Sequence, residues 1–338
     1  MVCRLKRSCL LALASLIAGS LAAGSAVAQQ PIVLKFSHVV APNTPKGKGA
    51  ERFRELAERY TKGRVKVEVH PNSQLYKDKE ELEALQLGAV QMLAPSLAKF
   101  APLGVREFEV FDLPFIFPDR AALSRVVNGP IGQQLFSKLE AKGIIGLAYW
   151  DNGFKVMSAN RPLKRPEDFS GLRMRIQHSR VLEVQMRALG AIPLAMAFSE
   201  SHAALQAGVA DGTENVPSNM YTQQMHEVQR HTTLSDHGYL GYAVIVNRKF
   251  WDALPGDLRQ ALRRAMTEAT QYANSIAQEE NEQALKAMEA SGRTEFHRLS
   301  SEDRAAWLQA LRPVHEDFAS RINRALVEAI HRETGMAP

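Results

Sequence analysis

Between Ile32 and Val69 the chain reads strand, helix, strand, and that order removes most folds from consideration. Ile32-Val-Leu-Lys-Phe-Ser37 is an apolar-rich strand running into His38-Val-Val-Ala-Pro42. Pro42 to Pro45 hands over to an amphipathic helix that ends near Lys62-Gly63. Val65-Lys-Val-Glu-Val69 then alternates cleanly and forms the second strand. Two strands joined by a helix make a βαβ unit, which favours a parallel sheet. The expected class is α/β.

The rest of the chain supplies material for a second domain. A loop from Pro71 to Asp78 leads to a helix through Leu82, Leu85 and Leu87, then a short strand around Met92. Val110-Phe-Asp-Leu-Pro-Phe-Ile-Phe-Pro118 is a packed, aromatic loop, Asp119 caps one helix, and a second runs from Ile131 to Lys142-Gly143. Ile144 to Trp150 is a buried strand that Asp151-Asn-Gly153 interrupts, and Phe154 to Ala159 resumes an extended pattern. A turn tripeptide between two strands makes a natural hinge, so the first crossing between domains is expected there. Tyr242 to Asn247 is read as the strand that returns to the first domain. From Pro255 the pattern is helical to about Ala290, with no glycine after Gly256. At roughly 1.5 Å per residue such a helix is about 50 Å long, more than one small domain, and should brace both. A short strand near Thr294 to Phe296, a capped helix from Ser300 and a last helix after Pro313 complete the chain. The expected boundaries are 29–152 plus about 241–280 for domain I, and 153–240 plus about 281–338 for domain II.

Residues 1–28 read as an export signal. Arg4, Lys6 and Arg7 make a basic head, Leu10 to Ala23 an apolar run, and Ala26-Val-Ala28 an A-x-A cleavage site before Gln29. Removing this segment takes 42 basic residues to 39 against 36 acidic ones, so the net charge of +6 falls to +3. That is too mild for a nucleic-acid partner, and no basic cluster with interleaved aromatics appears. Cys3 and Cys9 leave with the signal, which excludes disulfides and thiol chemistry from the mature protein. A periplasmic location is expected.

One stretch carries the functional signal. Gly171-Leu-Arg-Met-Arg-Ile-Gln-His-Ser179 alternates, which puts Arg173 and Arg175 on the strand face opposite Leu172, Met174 and Ile176. Ser199 reads as the N-cap of a short helix carrying His202 to Ala207. Asp211-Gly212 is a turn signal, followed directly by Glu214-Asn215. Polar groups thus recur at the ends of short elements, where open α/β folds bind ligands.

These residues, and the mature chain as a whole, resemble the substrate-binding proteins of TRAP transporters, most nearly the dicarboxylate-binding branch. The resemblance implies a periplasmic-binding-protein-like fold with two domains, a hinge and a long helix bracing both. It also implies a small organic acid as ligand, with a C4-dicarboxylate leading, and integral-membrane TRAP permease subunits as partners. Arg175 would make the bidentate salt bridge to the ligand carboxylate, with Asn215 and Phe198 lining the site. Ser96 matches a position that faces the ligand, His38 lies in a turn placed at the cleft, and Lys155, where many relatives have Arg, is a candidate second cation. The chain departs from the family pattern in carrying Val216 before Pro217 where Pro usually follows the Asn. A monomer is expected, with no cofactor and no metal.

Enzyme motifs are missing from the sequence. There is no G-x-S-x-G elbow and no P-loop, and Gly47-Lys-Gly49 lacks the third glycine of a dinucleotide fingerprint. His226 and His231 are five apart on a supposed helix, whereas a zinc helix needs four, so they read as surface histidines. The rival readings are an exported enzyme acting on carboxylates and a ligand sensor that docks to a signalling receptor.

Overall fold

The computed structural model describes residues 30–335, so the signal-peptide segment lies outside the described residues. Among the described residues eleven strands form two sheets. They are β1 (Ile32–Ser37), β2 (Val65–His70), β3 (Met92–Leu93), β4 (Ile144–Phe154), β5 (Val156–Ala159), β6 (Arg173–Ile176), β7 (Ile192–Ala195), β8 (Gly212–Asn215), β9 (His231–Leu234), β10 (Tyr239–Asn247) and β11 (Glu295–Arg298). The first sheet has the order β2-β1-β3-β10-β4 and the second β11-β9-β5-β8-β6-β7. The βαβ reading of the start holds: β1 pairs with β2 in parallel, across the helix Pro45–Tyr60. Neither sheet is purely parallel, because β10 runs antiparallel to β3 and β4. In the second sheet β5 is antiparallel to both β8 and β9.

The two sheets exchange chain at two adjacent points. The expected break at Asp151-Asn-Gly153 does not occur. Strand β4 continues to Phe154 and absorbs the irregularity as a register shift against β10 between Leu240 and Gly241. Gly153 takes φ +116°, a conformation that suits glycine alone, so the tripeptide bends a strand that its hydrogen bonds to β10 keep intact. The passage to the second sheet falls at Lys155. The return falls at Ser235–Gly238, and the Lys155 N–H donates to the Gly238 carbonyl at 2.8 Å, binding the two crossings together.

The helix Gly256–Ser291 spans 36 residues, about 54 Å at 1.5 Å per residue. Leu258, Leu262, Ala265, Met266, Ala269 and Ala273 sit in one apolar core with Phe36, Phe53 and Trp150. Further along, Met288 enters a separate core with Val156, Phe198 and Met220. The helix therefore braces both lobes. Its alanines let it approach the first helix closely: a Cβ on Gly49 would stand 2.9 Å from that of Ala273. Between the two cores, Asn281 donates to the Asn152 carbonyl at 2.6 Å and accepts from the Ser218 N–H at 2.9 Å. It ends at Gly292, in the left-handed region.

The C-terminal reading needs correction. Pro313 does not separate two helices; it lies inside the helix Ser301–Ile322, which opens with a capping box of Ser300 and Asp303. Burial of Trp307, Leu311, Val314 and Phe318 on one face outweighs the local cost of the proline. The break comes instead at Asn323, whose side chain caps the last helix, Arg324–Thr334. Among the described residues no helix is long and apolar enough to cross a membrane.

Candidate functional site

The cavity between the two sheets is walled by the ends of strands. Val39 and Val40 follow β1, Gln177 follows β6, and Asn215 ends β8. Each position lies at the carboxyl end of a strand with a parallel neighbour, where open sheets leave a crevice. Arg175, Glu214, Leu240 and Tyr242 come from within β6, β8 and β10, a helix start supplies Lys46, and the crossing segment supplies Lys155.

Arg175 is at the centre of one wall. Strand alternation sends Met174 and Ile176 into the apolar core, both fully buried, and turns Arg175 to the cavity. Only 2 % of Arg175 is exposed. Its Nη2 donates to the Met196 carbonyl at 2.8 Å, while Nε has no partner among the described residues. Burial lowers the proton affinity of the guanidinium, and the carboxylates of Asp78, Glu214 and Glu200 oppose that. Arg173 shares the strand face but belongs elsewhere. It grips Asp211 with a fork, Nε to Oδ2 at 2.9 Å and Nη2 to Oδ1 at 2.7 Å, on the protein surface.

Asn215 and Phe198 also line the cavity. The Asn215 Oδ1 accepts from the Val216 N–H at 2.9 Å and from Asn219 Nδ2 at 3.0 Å, so its amide N–H groups are what it offers a ligand. The Phe198 N–H donates to Asp78 Oδ2 at 2.8 Å. Ser199 is not the N-cap expected from the sequence. Phe198–Glu200 forms a 3-10 turn, and the following helix starts at Ser201 with Glu200 before it. Ser96 lines the cavity and donates to Gln177 Oε1 at 2.8 Å, which leaves Gln177 Nε2 buried without a partner.

Lys155 stands on the wall, yet its charge is already engaged. Its Nζ is 2.9 Å from Glu214 Oε1 and 3.8 Å from Asp112 Oδ1. Burial opposes ionisation of Glu214, but the Lys155 ammonium and a hydrogen bond from His237 hold its pKa at about 2. His38 departs further from expectation. Fully buried, it is not among the wall residues, although its neighbours Val39 and Val40 are. Burial first, and then the nearby Lys46 ammonium, push its pKa down to about 3, so the ring is neutral.

The structure adds wall residues that the sequence reading passed over. Lys99 is held by Asp78 at 2.6 Å and Glu81 at 2.5 Å, all three nearly inaccessible. Lys46 is different. Its Nζ donates to the Ala94 carbonyl at 3.0 Å and lies 3.7 Å from the Tyr242 ring centre, and neither partner carries a charge. Burial, then repulsion from Lys99, brings its pKa down to about 7. A local signal for Lys46 did exist: it sits in the first turn of a helix that has no acidic residue there, where the helix dipole disfavours a cation.

His226 and His231 share no helix. His226 lies in a 3-10 turn and is buried, while His231 opens β9. The surface reading therefore fails for His226.

Among the described residues four cations and two carboxylates line the cavity: Lys46, Lys99, Lys155 and Arg175 against Asp78 and Glu214. Lys99 and Lys155 are each matched by two carboxylates, whereas the partners of Lys46 and Arg175 are carbonyls and a ring. Such a wall suits an anion that brings its own negative charge.

The comparisons with known proteins agree with this chemistry. A model of the bacterial extracellular solute-binding protein family 7 matches residues 36–321. The C4-dicarboxylate-binding periplasmic protein DctP of Rhodobacter capsulatus is 65% identical over 330 residues, 98% of this chain and 99% of that protein. A TRAP periplasmic solute-binding protein from Shewanella oneidensis, solved with bound succinate, superimposes with a TM-score of 0.88 at 42% identity, over 90% of this chain and 99% of that one. A second such protein, from Pseudomonas aeruginosa with bound L-malate, gives 0.83 at 44% identity, over 85% and 100%. With the match running from β1 into the helix Ser301–Ile322, the chain belongs to the bacterial extracellular solute-binding proteins of family 7.

Proposed function

We propose that this protein is the periplasmic receptor of a TRAP transporter, that it captures a C4-dicarboxylate between its lobes, and that it delivers the acid to the membrane permease. The observation that carries the reading is the Arg175 guanidinium, buried on the cavity wall with Nε unpartnered. A carboxylate there would complete two parallel charge-assisted hydrogen bonds. Asn215 and Gln177 would add N–H donors to the same ligand, and Phe198 would close over its apolar stem.

The second carboxylate would meet Lys46 rather than Lys155. Of the wall cations only Arg175 and Lys46 stand without a carboxylate partner among the described residues, and a dianion supplies one charge for each. The relatives whose names or structures specify succinate, malate or C4-dicarboxylates support the same ligand class. Closure would turn on the paired crossings at Lys155 and Ser235–Gly238, with domain I near 32–154 and 239–280 and domain II in the remainder. Export would follow cleavage after Ala28.

Titration calorimetry with succinate, L-malate and the monocarboxylate butyrate tests the reading. Saturable binding of the two diacids, lost in Arg175→Ala, is the expected result. Binding that survives Arg175→Ala would overturn it. An enzyme would consume the bound acid, so an unchanged succinate NMR spectrum after prolonged incubation separates receptor from catalyst.

A further inference from the structure

Strand β11 forms an edge of the second sheet and pairs in parallel with β9, Glu295 opposite His231 and His297 opposite Thr233. Residues two apart on a strand share a face, so His231, Glu295 and His297 project from the same side of this ribbon. Their side chains converge. His231 Nδ1 and His297 Nε2 are 3.0 Å apart; Glu295 Oε2 lies 3.7 Å from the first nitrogen and Oε1 3.7 Å from the second. The candidate ligand atoms all fall within 4.8 Å of one another.

We propose that His231, His297 and Glu295 form a binding site for a first-row divalent transition-metal ion, with Ni²⁺, Cu²⁺ and Zn²⁺ as the class it takes. Two imidazole nitrogens at 3.0 Å face each other across either a shared proton or a cation. With metal–nitrogen bonds of about 2.1 Å, a right angle at the metal puts the nitrogens about 3.0 Å apart, so an ion enters without moving either strand. That right angle suits Ni²⁺ and Cu²⁺ directly, and Zn²⁺ needs the nitrogens to open to about 3.4 Å for a tetrahedral site. Two nitrogen donors disfavour Ca²⁺ and Mg²⁺, which take oxygen.

The surroundings fit a site open on one side. His297 is nearly buried and His231 is mostly covered, which fixes two ligands, while Glu295 is 67% exposed and free to swing in as the third. Water would complete the shell from the solvent side. The Glu295 carboxylate brings negative charge to His297, while Lys164 and His231 lie close enough to act on it electrostatically. Lys164 is also the positive neighbour that opposes an incoming ion. A metal here would staple the edge strand that follows the long helix to β9, and by binding the folded state alone it would raise stability. The two histidines lie 66 positions apart, so no spacing motif announces them.

The test uses the tag-free mature receptor, residues 29–338, and the metal salts alone. Calorimetry with NiCl₂, CuCl₂ and ZnCl₂ should show one ion per chain, and each ion should raise the melting temperature. His231→Gln and His297→Gln should each weaken binding by about tenfold or more. Glu295→Gln, at an exposed position that cannot disturb the fold, should weaken it by less but measurably. His315→Gln serves as the control, because His315 and His331 form the other close histidine pair, with ring centres 5.8 Å apart. The Cu²⁺ spectrum in electron paramagnetic resonance should carry the splitting of two imidazole nitrogens. Absence of binding by the unmodified protein overturns the proposal. So does binding that all three site variants retain, or that only His315→Gln removes.

Discussion

Lys155 and Glu214 form an ion pair at 2.9 Å, each side chain 2% exposed, between the crossing that follows β4 and the strand β8. The pair continues on both sides: Asp112 Oδ1 lies 3.8 Å from the ammonium, and His237 Nε2 lies 3.1 Å from the second Glu214 oxygen. Lys155 is thus the counter-charge of two buried carboxylates.

The consequence is structural. Lys155→Met leaves Glu214 and Asp112 buried without their cation, and breaking a buried pair from one side costs about 3–5 kcal/mol. Urea unfolding followed by circular dichroism should show that loss. An unchanged unfolding midpoint, with the damage confined to dicarboxylate affinity, would return Lys155 to the role of second ligand cation.

The same cluster sets an acid limb on stability. Glu214 titrates near 2 in the folded protein, below its ordinary 4.5. A depressed carboxyl stabilises the fold fully above the unfolded value, and the contribution is lost as pH falls through the folded one. Urea midpoints of the unmodified protein should therefore drop between pH 4.5 and 2, and Glu214→Gln should flatten part of that decline. Parallel curves for the two proteins would rule the cluster out as its source.

Arg175 and Arg173 should separate sharply despite sharing a strand face. Removing one member of a buried charge pair costs about 3–5 kcal/mol, on the order of a hundredfold to several thousandfold in affinity. Arg175→Ala should lose succinate to that extent, and Arg175→Lys, which keeps the charge without the fork, should lose less. Arg173→Ala removes a solvent-exposed pair with Asp211, of the kind that contributes little to stability, and should leave affinity nearly intact. Calorimetry on the three variants decides it; loss of binding in Arg173→Ala alone would contradict the assignment.

Lys46 should make capture of a diacid pH-dependent. Its ammonium has a pKa of about 7 without ligand, and only the charged form attracts the second carboxylate. Raising pH above 7 therefore discharges Lys46 in the unliganded receptor, and succinate affinity should fall by up to about tenfold per pH unit. Butyrate affinity should change little over the same range. Lys46→Met should weaken succinate more than butyrate and remove the slope, and a slope that persists in this variant would place the titrating group elsewhere.

Much of this protein was legible before any coordinates, because the relevant signals are local. The alternation of Val65-Lys-Val-Glu-Val69 and the helix before it gave the parallel β1–β2 pair. The glycine-free run after Gly256 gave the bracing helix, and the resemblance carried by the Gly171–Asn215 stretch implied Arg175 and Asn215, both of which line the cavity. Local signals failed where tertiary hydrogen bonds or packing prevailed. Pairing with β10 carried β4 through Asp151-Asn-Gly153, and a buried face carried a helix through Pro313.

Charge partnership was the part that sequence could not hold. Lys46, Lys99 and Lys155 are the same residue type, and apart from the helix start at Lys46 nothing adjacent in the chain distinguishes their roles. Lys99 is neutralised from 18 and 21 positions away, by Glu81 and Asp78, and Lys155 from 59 positions away, by Glu214. Lys46 meets only a carbonyl and an aromatic ring. The energy of a buried charge depends on what lies within a few ångströms of it and on how much water is excluded, and both are set by the folded chain. Sequence named Arg175 and Lys155 for the cleft; the tertiary structure added Lys46 and Lys99 and decided that Arg175 and Lys46 are left for a ligand.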